Sequence, residues 1–78
     1  MERKEVLEKV QDIFIDILDD DNLILTEGMS SFDINGYDSL AHIQIVATIE
    51  KAFKIKFLSS EINSWNNIGE LLNSIMSK

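Results

Sequence analysis

The sequence predicts an all-α fold, a small four-helix bundle of three main helices and one short helix, with a long first loop. Three observations predict it. Apolar residues recur with a helical period in three separate stretches. A strand reading is open only for Lys54–Leu58, and that segment has no partner strand elsewhere in the chain. The length, 78 residues, suits one domain spanning 1–78 with one apolar core.

The first helix is carried by Val6, Leu7, Val10, Ile13, Phe14, Ile17 and Leu18, one stripe of a helix with 3.6 residues per turn, while charged residues fill the opposite face. Asp19-Asp20-Asp21-Asn22 ends it, because acids are unfavourable at the negative pole of a helix. The end is placed near Leu18 or Asp19. Residues 20–38 show no period. Their apolar members, Leu23, Ile24, Leu25, Met29, Phe32 and Ile34, are expected to cap the core and keep the loop ordered. The second helix starts at Asp38-Ser39, either of which serves as N-cap, and runs to about Phe53. Lys51, Lys54 and Lys56 suit its negative end. Ser59-Ser60 caps a single helical turn. Asn67 and Glu70 resemble a capping box for the last helix, whose stripe is Ile68, Leu71, Leu72, Ile75 and Met76.

The second helix carries more apolar surface than one core stripe requires. On a helical wheel Ile45, Val46, Ile49 and Phe53 fall within roughly a 100° arc, the width a core-facing stripe needs. Leu40, Ile43 and Ala47 form a second cluster, and Ser39 sits between the two. Either both clusters are buried, or the second stays exposed as a docking strip that a partner helix reads at i, i+3, i+7 spacing.

Composition excludes several classes. There are no cysteines, so neither disulfides nor thiolate metal sites support the fold. The longest apolar runs are two or three residues, against the roughly 20 that span a bilayer. Met1-Glu2-Arg3-Lys4-Glu5 opens into a charged helical pattern and does not read as a signal peptide, so a cytoplasmic protein is expected. The net charge of −7 repels nucleic acid. That charge is uneven: residues 1–38 carry 11 acids and 3 bases, and residues 39–78 carry 3 acids and 4 bases.

Asp33-Ile34-Asn35-Gly36-Tyr37-Asp38-Ser39-Leu40 is similar to the motif of acyl and peptidyl carrier proteins, in which an Asp-Ser-Leu triplet opens the second helix and a glycine lies just before it. The resemblance extends to length, helix order, long first loop and apolar spacing. It implies a carrier, not an enzyme, with 4′-phosphopantetheine joined to Ser39. That group comes from coenzyme A through a phosphopantetheinyl transferase, and its thiol holds acyl or aminoacyl groups as thioesters. The implied partners are that transferase and the loading and processing enzymes, met by a monomeric carrier. Asp38 and Leu40 match the transferase-recognition positions. Ile43, Ala47 and Glu50 lie on the helix that partners read. Asp33 matches the acid that opens the motif, one residue farther from the serine. The recognition helix departs from the fatty-acid carriers, which bear several acids there. Here the positions read Ala41, Gln44, Glu50, Lys51 and Ala52, so only Glu50 keeps the acid and Lys51 reverses the sign. A specialised carrier is expected rather than the primary fatty-acid one.

Three other readings compete. Asp38, Ser39 and His42 are close enough for a serine hydrolase, but the nucleophile elbow G-x-S-x-G is absent and Asp38 is poorly placed to orient His42. An EF-hand counted from Asp19 puts Ile24 at the glycine position and Ser30 at the glutamate position, so no metal site is expected. An unmodified carrier-like scaffold that uses the Leu40/Ile43/Ala47 strip is the third. Tyr37 and Trp65 offer no separate site, Trp65 being expected against the bundle's edge.

Overall fold

The first apolar stripe folds into α1, Arg3–Leu18, in the computed structural model, which describes residues 2–78. Met1, the first residue of the charged opening, lies outside the described residues. Val6, Val10 and Phe14 recur every fourth residue and are buried, with Leu7, Ile13, Ile17 and Leu18 half-buried beside them. The helix ends where expected. Asp19 turns into the left-handed region at φ 53° and its N–H donates to Ile15 O, a conformation that aspartate tolerates better than most residues.

The loop covers the bundle only in part. Leu25 and Ile34 are buried, and the Leu25 N–H donates to Gln11 Oε1 at 2.8 Å. Ile24 and Phe32, expected to cap the core, are instead 70% and 98% exposed. Ile24 stands between Leu23 and Leu25, both turned inward, and successive residues of an extended chain point to opposite sides. Phe32 lies in a 3₁₀ turn over Ser31–Asp33, which directs Ile34 inward in its place.

α2 spans Ser39–Phe53, packs on α1, and buries Ile45 and Ile49 in the core they share, with Val46 buried outside that cluster. α3, Ser59–Ile62, is one turn. The serine pair does not cap it: Leu58 occupies the cap position, and its N–H donates to Glu61 Oε1 at 2.9 Å. α4, Ile68–Met76, packs on α1 and buries Ile68, Leu71, Leu72 and Ile75 in the core, whereas Met76 at its C-terminal end is 42% exposed. Asn67 caps it, accepting from the Glu70 N–H at 2.9 Å, while Glu70 Oε1 accepts from Asn66 N rather than from the cap residue itself. The described residues form four helices, three of them main, and no strand.

The long loop is pinned across the bundle. The N–H groups of Ile68 and Gly69, unpaired within α4, donate to Met29 O at 2.9 Å and Glu27 O at 2.8 Å. Arg3 completes the tie, meeting the Glu27 carboxylate at 2.6 Å and Gly69 O at 3.0 Å. A Cβ on Gly69 would lie 3.3 Å from Glu27 O, so this close approach suits glycine.

Candidate functional site

The start of α2 resolves the choice of cap. Asp38 is the N-cap, its Oδ1 accepting from the Ala41 N–H at 2.8 Å, and its backbone carbonyl accepts from His42 N at 2.9 Å. Ser39 is therefore the first residue of the helix, exposed and released from capping. Its side chain opens onto a shallow groove of about 410 Å³ lined by Ser31, Tyr37, Asp38, Ser39, His42 and Ile43.

Tyr37 holds one wall of this groove. It stacks on Phe14 with ring centroids 5.8 Å apart, and its hydroxyl is hydrogen-bonded to His42 Nδ1. Burial pushes the Tyr37 pKa up, so the hydroxyl keeps its proton and donates to Nδ1 in the tautomer that carries its hydrogen on Nε2. Tyr37 thus belongs to the Ser39 groove itself and forms no site apart from it. Behind Tyr37 and His42 lies a separate cavity of about 140 Å³, walled by Phe14, Met29, Ile34 and Leu71 among others. Trp65 stands at its edge, packed edge-to-face on Phe57 at 4.9 Å and donating from Nε1 to Ser74 Oγ at 2.8 Å.

The hydrolase arrangement does not form. Among the described residues the Asp38 carboxylate makes no hydrogen bond to the His42 ring, whose Nδ1 is taken by Tyr37. The described residues also hold no group of three or more His, Cys, Asp or Glu arranged for a metal ion.

The two clusters on α2 separate as core and surface. Leu40 is 64% exposed, Ile43 is 65% exposed, and Ala47 is exposed beside them, so burial of both clusters is ruled out. Other positions differ from the expected surface. Ala41 is buried and presents nothing outward. Glu50 is half-buried, its Oε2 accepting from the Phe57 N–H at 2.9 Å, so its carboxylate already secures the turn after α2. Asp33 is likewise engaged: its Oδ2 accepts from the Ser30 N–H at 3.0 Å and closes the 3₁₀ turn.

A family model for the phosphopantetheine attachment site matches residues 8–75. The chain belongs to that family. It is similar along its length to the solution structure of a holo acyl carrier protein from Geobacter metallireducens. The identity is 35% and the TM-score 0.86, over 92% of this chain and 83% of that one. The match takes in all three main helices, so the carrier fold and the phosphopantetheine-bearing function are both those of the acyl carrier family. Carriers of this family hold 4′-phosphopantetheine covalently, are generally non-catalytic, and interact with transferases and biosynthetic enzymes. No helix of the described residues of this carrier is long and apolar enough to cross a membrane.

Proposed function

We propose that Ser39 is the attachment point of the arm and that residues 1–78 act as one monomeric, cytoplasmic carrier domain. The observation that carries the reading is the exposed Ser39 hydroxyl at the first position of α2, freed because Asp38 takes the cap. The surroundings fit a phosphodiester. The N–H groups at the start of a helix lack intrahelical partners and carry partial positive charge, which favours an anion there. Asp38 occupies one of these donors, at Ala41, and the Ser39 and Leu40 N–H groups make no hydrogen bond among the described residues.

In the loading step the Ser39 Oγ–phosphorus bond forms as the pyrophosphate linkage of coenzyme A breaks. Adenosine 3′,5′-bisphosphate leaves, and the serine proton passes to the transferase. The arm supplies a terminal thiol, which this cysteine-free chain does not have, for carrying acyl or aminoacyl cargo as a thioester. The chain's own residues hold Ser39 at the helix start, keep the Tyr37–His42 wall in place, and expose Leu40, Ile43 and Ala47 for the transferase and the loading and processing enzymes. The chain itself performs no reaction. Asp38 contributes to transferase recognition as well as to the cap.

The surface of α2 favours a specialised pathway over primary fatty-acid synthesis. Its one carboxylate within the helix, Glu50, is committed to Phe57 N, and Lys51 stands exposed next to it. The test is intact-mass spectrometry after incubation with coenzyme A and a broad-specificity phosphopantetheinyl transferase. The expected result is a single mass increase of one phosphopantetheine, absent in Ser39→Ala. No mass gain with several transferases overturns the assignment and leaves the exposed strip as that of an unmodified scaffold.

A further inference from the structure

The C-terminal half of α2 carries a feature that attachment at Ser39 does not use. Lys51, Lys54 and Lys56 are all exposed, and none forms an ion pair among the described residues. They rim an open groove of about 480 Å³ whose apolar surface comes from Ala47 and Ile55. Glu50 is the single carboxylate there, and it is turned to the Phe57 N–H. The groove is therefore cationic on a protein whose net charge is −7. The favourable end of a helix dipole accounts for Lys51 and Lys54. It does not account for Lys56, which lies beyond the last turn, nor for the apolar surface between the lysines.

The groove is continuous with the apolar strip. At 3.6 residues per turn, Leu40, Ile43, Ala47 and Lys51 fall within about an 80° arc, and the stripe runs about 16 Å along the helix. One face of α2 is thus apolar near Ser39 and cationic at its far end. We propose that this face, from Leu40 to Lys56, docks an acidic amphipathic helix of a partner protein. Its apolar residues lie on Leu40, Ile43 and Ala47 and its carboxylates face Lys51, Lys54 and Lys56. The inference rests on the reading of α2 as the recognition helix and adds the chemistry of what it recognises.

Charge complementarity fixes both the sign and the orientation. Exposed ion pairs each add little affinity, so the apolar strip supplies most of the binding and the lysines set register and approach. The acidic α1 and loop repel an acidic partner from their side of the molecule, which favours approach at the lysine end. A partner helix that runs the full stripe brings its enzyme to rest beside the Ser39 groove.

The test uses the unmodified, ¹⁵N-labelled full chain in NMR titrations with three probes. One is a helical peptide with leucines at i, i+3 and i+7 and glutamates in the following turn. The second is the same peptide with lysine for glutamate. The third is vesicles of phosphatidylglycerol. The acidic peptide is expected to shift the amides of Leu40, Ile43, Ala47, Lys51, Lys54 and Lys56. Its affinity is expected to fall at least tenfold in Lys51→Glu/Lys54→Glu/Lys56→Glu and to weaken steadily with added salt. Lys56→Glu alone, outside the helix, provides the same comparison at smaller size should the triple variant lose its fold by circular dichroism. The proposal is overturned if the acidic peptide leaves α2 unmoved, or if the lysine peptide occupies the same face equally well. It is also overturned if charge reversal changes nothing, or if the vesicles and not the peptide engage these residues. Because the protein is unmodified, failure here leaves attachment at Ser39 standing, and absence of a mass gain at Ser39 leaves this docking result standing.

Discussion

A single hydrogen bond determines what Ser39 is free to do. Asp38 and Ser39 are both good caps, and the two assignments give different sites. With Asp38 Oδ1 on the Ala41 N–H, the serine hydroxyl is left for solvent and for an enzyme. This also allows the two roles of Asp38 to be separated. Asparagine caps as well as aspartate but carries no charge, whereas alanine does neither. We expect Asp38→Ala to lower stability by about 1 kcal/mol in urea unfolding and Asp38→Asn to leave it nearly unchanged. If both variants slow transfer to Ser39 alike, the charge carries recognition. If only Asp38→Ala slows it, the geometry of the helix start is what the transferase requires. The roles of Glu50 and Asp33 were not legible in the sequence for a related reason. Their carboxylates satisfy backbone N–H groups of turns whose geometry is set by the surrounding fold, Phe57 N seven residues on and Ser30 N three residues back.

At the scale of the element, the three main helices were legible because their signal is local. A 3.6-residue apolar period and a cap are properties of a dozen neighbouring residues. The ends of α1 and α2 fell where charge and period placed them, at Leu18 and Phe53. What lies just past the second end was not visible. Lys54 adopts φ 57°, the left-handed conformation that glycine accepts without a Cβ penalty. We expect Lys54→Gly to raise stability by up to about 1 kcal/mol, the gain in conformation being partly offset by the flexibility of glycine in the unfolded chain. A fall in the urea midpoint would show instead that the Lys54 side chain stabilises the end of α2. The loop was the least legible element. Which of its six apolar residues turn inward depends on the 3₁₀ turn at Ser31–Asp33 and on the bonds that α4 makes to Glu27 and Met29, and neither has a local sequence period.

At the scale of the molecule, the described residues close into a body with a radius of gyration of 11.4 Å, against about 11.5 Å expected for a compact domain of this length. The stapling at its surface depends on pH. The Arg3 hydrogen bond holds the Glu27 carboxyl below its ordinary value, and the Leu58 N–H, followed by Lys78, does the same for Glu61. A depressed folded-state pKa contributes stability that is present above the unfolded value, 4.5 for glutamate, and is lost as pH falls through the folded value. Stability measured by urea midpoint is therefore expected to decline below about pH 4.5. Glu61→Gln is expected to start lower at neutral pH and to decline less steeply. An equally steep acid limb in that variant would assign the loss to other carboxylates.

Residues adjacent in the chain fix the three main helices, a helix start at Asp38-Ser39 and the uneven charge of the two halves, but not which of the two residues caps α2. Which apolar residues remain outside is set by how the helices pack. Leu40 and Ile43 are as hydrophobic as Ile45 and Ile49, and packing against α1 buries one face of α2 while Leu40 and Ile43 on the other stay exposed. Burial is a property of neighbours brought together from distant parts of the chain. For the same reason the three lysines become one cationic groove only after the turn following α2 folds Ile55 and Lys56 back toward Ala47 and Lys51.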